Sequence, residues 1–249
     1  MNKISILAHA KHLKRPVFTT RELAMLSKSS LSNTTQKLNT LEKRGLVFKV
    51  ARGIWAEVGN EKLSPYALIP FLLPKNRSYV SFISALHLYG IIEQIPQVIT
   101  LASTIHTKKI YTKIGTFIIH QILPALFNGF DWYRKTGDFL IAEPEKALID
   151  SLYLSARKKK QFRYFPELYF PESFSFKKAR QWAEKIPDLR IKSYVKKKLA
   201  KLAPAKYTLE NVFGVVKPLK KPENFKKLKQ IAIKEHVKKI TEEMKKCNF

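Results

Sequence analysis

The stretch Leu31–Arg44 reads LSNTTQKLNTLEKR, and its polar side chains are of an unusual kind. Leu31, Leu38 and Leu41 are separated by seven and three residues, a spacing that puts them on one face of a helix. The opposite face then displays Ser32, Asn33, Gln36, Asn39 and Thr40, with Lys37 and Lys43 beside them. A merely solvated helix face is richer in Glu and Lys, which favour both helix and solubility. Amides and hydroxyls are what base edges require: Asn and Gln pair bidentately with adenine, and Ser and Thr bond several bases. The chemistry expected of Ser32, Asn33, Gln36, Asn39 and Thr40 is therefore base reading in a DNA groove.

Such a helix needs a scaffold, and the flanking sequence supplies one. Ile6, Leu7, Ala10 and Leu13 recur at helical spacing before Pro16 stops the run. Thr19 or Thr20 caps a second short helix with Glu22 in its first turn, and Lys28-Ser29-Ser30 is turn-like. Gly45 stands where the third helix should end in a left-handed cap. The runs Leu46–Val50 and Ile54–Val58 flank Ala51-Arg52-Gly53 and read as a β-hairpin. Helix, helix–turn–helix and basic hairpin together predict a winged helix over residues 1–60. Lys37, Lys43, Lys49 and Arg52 are the expected phosphate contacts. A module of this shape used only for protein contacts is the alternative. The segment LEKRGLVFKVARGIWA resembles the winged-helix domain of bacterial transcriptional regulators.

Charge points the same way. The 249 residues carry 47 Lys and Arg against 19 Asp and Glu, a net charge of +28. Residues 1–154 contribute +10 and residues 155–249 contribute +18, so the excess is concentrated toward the C-terminus. An excess of this size repels itself in the compact state and implies a polyanionic partner.

Residues 61–205 predict a second, α+β domain. Ser64-Pro65 opens an apolar helix to Leu73, and Phe82–Tyr89 forms another that ends at Gly90. Strands are expected at Val98–Ala102, Lys109–Tyr111, Gly115–Ile122 and Asp138–Ala142, followed by a helix opened by Glu143-Pro144. Phe176–Ile186 and Ile191–Leu202 read as basic helices. The fold class expected is thus α+β: an N-terminal winged helix-turn-helix, a mixed α/β domain, and a basic helical extension over 206–249.

Three blocks in order, YVSFISALHLYGIIEQIPQVITLAS, TKIGTFIIHQI and FLIAEPEKALIDSLYL, resemble the C-terminal domain of AbiEi-type antitoxins of bacterial abortive-infection systems. With the preceding module, the resemblance covers roughly residues 1–155. It implies an N-terminal domain that binds operator DNA and represses its own operon. It also implies a C-terminal domain that counteracts a nucleotidyltransferase-like toxin, either directly or at the toxin's target.

Beyond that resemblance the reading rests on charge. Lys158, Lys159, Lys160, Arg163, Lys177, Lys178, Arg180, Lys196, Lys197 and Lys198 form an expected polyanion or antitoxicity surface. Phe162, Tyr164, Phe165, Tyr169, Phe170, Phe174 and Phe176 interleave with them. Aromatics at this density are expected as core, although single-strand and RNA binders use such rings for stacking. An RNA-binding protein that grips its ligand with the basic C-terminal region is accordingly the alternative function.

Catalysis is not expected. AEPEKALID groups Glu143, Glu145, Lys146 and Asp150, but Pro144 breaks the acid–x–Lys spacing of a metal-dependent nuclease, for which Asp138 would be the first acid. Acids in the first turn of a helix are explained by its dipole. His9 and His12 share a helix face without a third ligand, and Lys11 and Lys14 would repel a cation. The only cysteine is Cys247, which leaves no disulfide framework or thiolate metal site. The longest apolar run, near Tyr66–Leu73, is far short of the ~18–20 residues that span a bilayer. A cytoplasmic protein with no cofactor, metal or membrane partner is expected.

Overall fold

The computed structural model describes residues 5–133, 135, 139–157, 165 and 167–203. The expected extension at 206–249 lies outside the described residues, as do Lys158, Lys159, Lys160, Arg163, Phe162, Tyr164 and Asp138. Within them the chain is a mixed α+β protein with eight α-helices and two sheets.

The N-terminal part runs α1 (Ile6–His12), β1 (Val17–Thr19), α2 (Thr20–Leu26), α3 (Leu31–Lys43), β2 (Val47–Ala51) and β3 (Ile54–Glu57). Each helix starts where a hydroxyl takes up an unsatisfied backbone N–H. Ser5 accepts from the Ala8 N–H and Ser30 from the Asn33 N–H, each at 3.2 Å. Thr19 and Glu22 form a reciprocal capping box: Thr19 Oγ1 accepts from the Glu22 N–H at 3.1 Å, and Glu22 accepts from the Thr19 N–H at 2.8 Å. Gly45, at φ +70°, turns the chain out of α3 in the conformation only glycine adopts freely.

The three strands form an antiparallel sheet in the order β1-β3-β2, with Phe18 opposite Trp55 and Lys49 also opposite Trp55. Strand alternation divides this sheet between two cores. Phe18, Val47 and Trp55 pack with Ile6, Ala10, Leu23 and Leu38 of the helices. Val17, Val50, Ile54 and Ala56 belong to the core of the larger part instead. A bulge between Lys49 and Ala51 lets β2 supply both.

The larger part is built on a six-stranded mixed sheet, in the order β6-β7-β5-β4-β9-β8. Its elements are α4 (Ile69–Leu72), β4 (Tyr79–Val80), α5 (Phe82–Leu88), β5 (Ile99–Ser103), β6 (Lys108–Thr112), β7 (Gly115–Gln121), β8 (Phe130–Trp132), β9 (Leu140–Ala142), α6 (Pro144–Ala156), α7 (Phe176–Glu184) and α8 (Leu189–Leu202). Strands β5 and β7 pair in parallel, as do β4 and β9, and the remaining pairs are antiparallel. Helix α6 is buried along its whole length from Glu145 to Ser155, packed by α5, α7 and α8. Strands β1, β4 and β8 are absent from the sequence reading, because two or three residues are too few to show a period.

One expectation is corrected. Leu31, expected on the inward face of α3, is 52% exposed, and the buried place belongs to Thr34. Glu145 stands in the first turn of α6, as expected of an acid there, but it and Asp150 are also buried. They are 4% and 1% exposed, and both are bonded by side-chain or backbone donors from other elements. Among the described residues the aromatic cluster behaves as core: Phe170, Phe174 and Phe176 pack ring to ring at 4.6–5.1 Å, and of the cluster's described rings only Tyr169 is half-exposed.

Candidate nucleic-acid interface

Helix α3 is presented by the turn that precedes it. Lys28 takes a left-handed conformation (φ +48°) and the Ser29 N–H bonds the Ala24 carbonyl at 3.0 Å, which closes α2 and redirects the chain. Leu38 and Thr34 are fully buried beneath α3. Ser32, Asn33, Gln36, Asn39 and Thr40 are all exposed on its other side, together with Lys37 and Lys43. At 100° per residue Gln36 and Lys43 lie at the centre of this outward face. The Thr40 hydroxyl donates to the Gln36 carbonyl at 3.1 Å, which leaves its oxygen as an outward acceptor. Lys37 and Thr40 also border a groove of about 490 Å³ between α1 and α3, whose apolar walls are Ile6, Leu7, Leu41 and Leu46.

The hairpin beside α3 is held from within. Trp55 is buried and its indole N–H donates to Thr20 Oγ1 at 2.9 Å, while the Thr20 N–H bonds the Gly53 carbonyl at 3.0 Å. Gly53, at φ +73°, makes the tight turn that leaves Arg52 exposed at the tip. Lys49 is exposed, with its ammonium 5.8 Å from the Trp55 ring. Its backbone N–H donates to Glu42 Oε1 at 2.9 Å, and the Lys113 ammonium lies 3.6 Å from the same oxygen. Lys113 sits in the β6–β7 turn, and its N–H bonds the Val50 carbonyl on the outer edge of β2 at 3.2 Å. Sequence reasoning missed this residue. Nothing local links a lysine between two strands to a hairpin some sixty positions earlier.

The basic residues of α7 and α8 are less uniform than their sequence suggests. Lys177, Arg180 and Lys197 are exposed. Lys178, by contrast, pairs with Glu143 at 3.1 Å, and Lys196 pairs with Glu184, whose carboxyl its hydrogen bond holds below the usual range. Lys198 lies 5.8 Å from the Tyr194 ring.

The AEPEKALID block turns inward. Lys146 pairs with Asp150, and each is 1% exposed. Ser81 Oγ donates to Asp150 Oδ2 at 2.8 Å, Tyr79 donates to the same oxygen at 3.1 Å, and the Lys146 ammonium donates to Tyr79 at 3.1 Å. Burial, with the Asp150 carboxylate beside it, pushes the Tyr79 hydroxyl far above the phenol range and keeps it a donor. Glu145 accepts from the Ser175 N–H at 2.9 Å. These buried groups fasten α6 to β4, the start of α5 and the start of α7.

Among the described residues no group of three His, Cys, Asp or Glu side chains is arranged to hold a metal ion, and no helix is long and apolar enough to cross a membrane. Neither the protein-family models nor the curated proteins yield a match to this chain.

Proposed function

We propose that residues 1–60 are a winged helix that reads operator DNA, and that the chain is an autorepressor and antitoxin opposing a nucleotidyltransferase-like toxin in phage defence. The observation that carries the DNA half is the outward face of α3. Ser32, Asn33, Gln36, Asn39 and Thr40 are exposed together on a helix seated by a tight turn, with exposed Lys49 and Arg52 on the adjoining hairpin. In this reading α3 enters the major groove while Lys37, Lys43, Lys49 and Arg52 meet phosphate. The antitoxin half rests on the resemblance of the three sequence blocks. The chain acts by binding rather than catalysis, in the cytoplasm.

Fluorescence anisotropy with the duplex immediately upstream of the gene, against a scrambled duplex at two salt concentrations, tests the reading. A preference for the native duplex that survives the higher salt supports a sequence-specific repressor. Equal binding to both, lost together as salt rises, overturns it and leaves general polyanion affinity. A second reading, RNA binding, is favoured by the exposed Lys177, Arg180 and Lys197 on α7 and α8. Crosslinking that recovers one predominant RNA species would put it first.

A further inference from the structure

The chain has three tryptophans, and two of them are core residues: Trp55 is 1% exposed and Trp182 is 8% exposed. Trp132 is 55% exposed, on the edge strand β8 at the end of the larger sheet that is farthest in strand order from β6. A single exposed ring is ordinary on a protein surface, so what matters is what surrounds this one. Trp132 forms one wall of a cavity of about 540 Å³, within the size range of small-ligand sites. Ile69, Pro70 and Leu73 supply its apolar floor, and Lys75, Asn76 and Arg77 its polar rim.

The backbone of the rim is firmly placed. The Asn76 N–H bonds the Leu73 carbonyl at 3.1 Å, and Ser103 Oγ donates to the Arg77 carbonyl at 2.8 Å. The Trp132 backbone is fixed by its pairing with Leu140 across the β8–β9 ladder and by its N–H, which donates to Asp131 Oδ1 at 2.8 Å. Among the described residues neither Lys75 nor Arg77 is engaged in an ion pair. The cavity thus joins an aromatic ring, an amide, the Asp131 carboxylate and two cations that form no ion pair among the described residues.

We propose that this cavity binds one nucleotide unit, its base stacked on Trp132 and its phosphate held by Lys75 and Arg77. Asn76 is placed to bond a base edge, and the second Asp131 oxygen to accept from an amino or ribose hydroxyl group. A flat apolar ring joined to a phosphate is the ligand chemistry that uses both the indole face and the cations, whereas an acidic peptide would use the cations alone. The nucleotide is either free or one residue of a single strand. The site is independent of duplex reading by α3.

The test uses the full chain and follows quenching of tryptophan emission by AMP, GMP, CMP and UMP. Single nucleotides are chosen because they gain little from a diffuse +28 field. Saturable quenching is expected, weaker with the unphosphorylated nucleoside. Lys75→Ala with Arg77→Ala should weaken binding at least tenfold with Trp132 still in place. Equilibrium dialysis should show about tenfold loss in Trp132→Leu and retention in Trp132→Phe. A single-stranded pentanucleotide separates the sources: tenfold tighter binding than the mononucleotide points to a strand, and equal binding to a free nucleotide. Absence of saturable quenching by every mononucleotide, or affinity unchanged in the double alanine variant, overturns the proposal.

Discussion

Lys146 and Asp150, one turn apart on α6, both lie within 3.1 Å of the Tyr79 hydroxyl, deep under the larger sheet. The ring of Tyr79 in turn stacks on Phe130 at 4.4 Å, so the polar group is roofed by aromatics. A buried pair of this kind is dangerous to break and mild to remove. Lys146→Met leaves Asp150 uncompensated and should cost about 3–5 kcal/mol. Lys146→Met combined with Asp150→Leu should recover most of that loss. Urea denaturation of the two single variants and the double variant measures the coupling, and additive losses would sink the idea.

For the proposed DNA interface, Asn33→Ala with Gln36→Ala should erase about 1–3 kcal/mol of discrimination per base contact while leaving scrambled-duplex binding intact. Lys49→Ala or Arg52→Ala should weaken both duplexes alike and flatten the dependence of log K on log salt by about 1 each. Unchanged selectivity in the first pair would remove α3 from the major groove.

Glu22 offers a pH test. Partial burial would raise its carboxyl pKa, but the Thr19 N–H, the Arg15 guanidinium and the Thr19 hydroxyl together hold it below its ordinary 4.5. A lowered folded-state value stabilises the protein above the unfolded value, and that contribution is lost as pH falls through the folded one. Glu22→Ala should therefore cost about 1 kcal/mol at neutral pH. The gap between variant and wild type should narrow in acid below pH 4.5, as read from chemical denaturation at stepped pH. A gap that does not change with pH would count against the ionised cap.

Gly129 and Gly90 make a matched comparison. Both have left-handed backbones, at φ +73° and +71°, but a Cβ on Gly129 would lie 2.3 Å from Trp182 Cζ2, and one on Gly90 meets nothing within 4 Å. Gly90→Ala should cost only the backbone term, about 1–2 kcal/mol. Gly129→Ala adds overpacking of about 1–3 kcal/mol against the indole. Thermal melts should rank Gly129→Ala below Gly90→Ala, and equal Tm values would contradict the contact.

The sequence exposes what depends on period and punctuation. The outward face of α3 is legible because Leu38 and the amides recur at helical spacing, and Gly45 and Gly53 mark the turns. Leu31 obeys the same spacing yet is exposed, because spacing assigns a face but not what lies across from it. Strands β1, β4 and β8 are too short to carry a pattern. The burial of Lys146 and Asp150 is not legible locally, because it is decided by Tyr79 and Ser81, about seventy residues away. Nothing in the sequence singles out Trp132, because its cavity is made by β9 and the Pro74–Ser78 loop.

The two-sided sheet at the N-terminus bears on how this gene can be divided. A break after residue 60 would strip Val17, Val50, Ile54 and Ala56 of their cover and leave an apolar sheet face in water. The amputated fragment would be sticky, and the remaining body would keep a matching bare patch. Recombination at that junction must therefore exchange compatible faces on both sides, so residues 1–60 are inherited with their own body rather than borrowed.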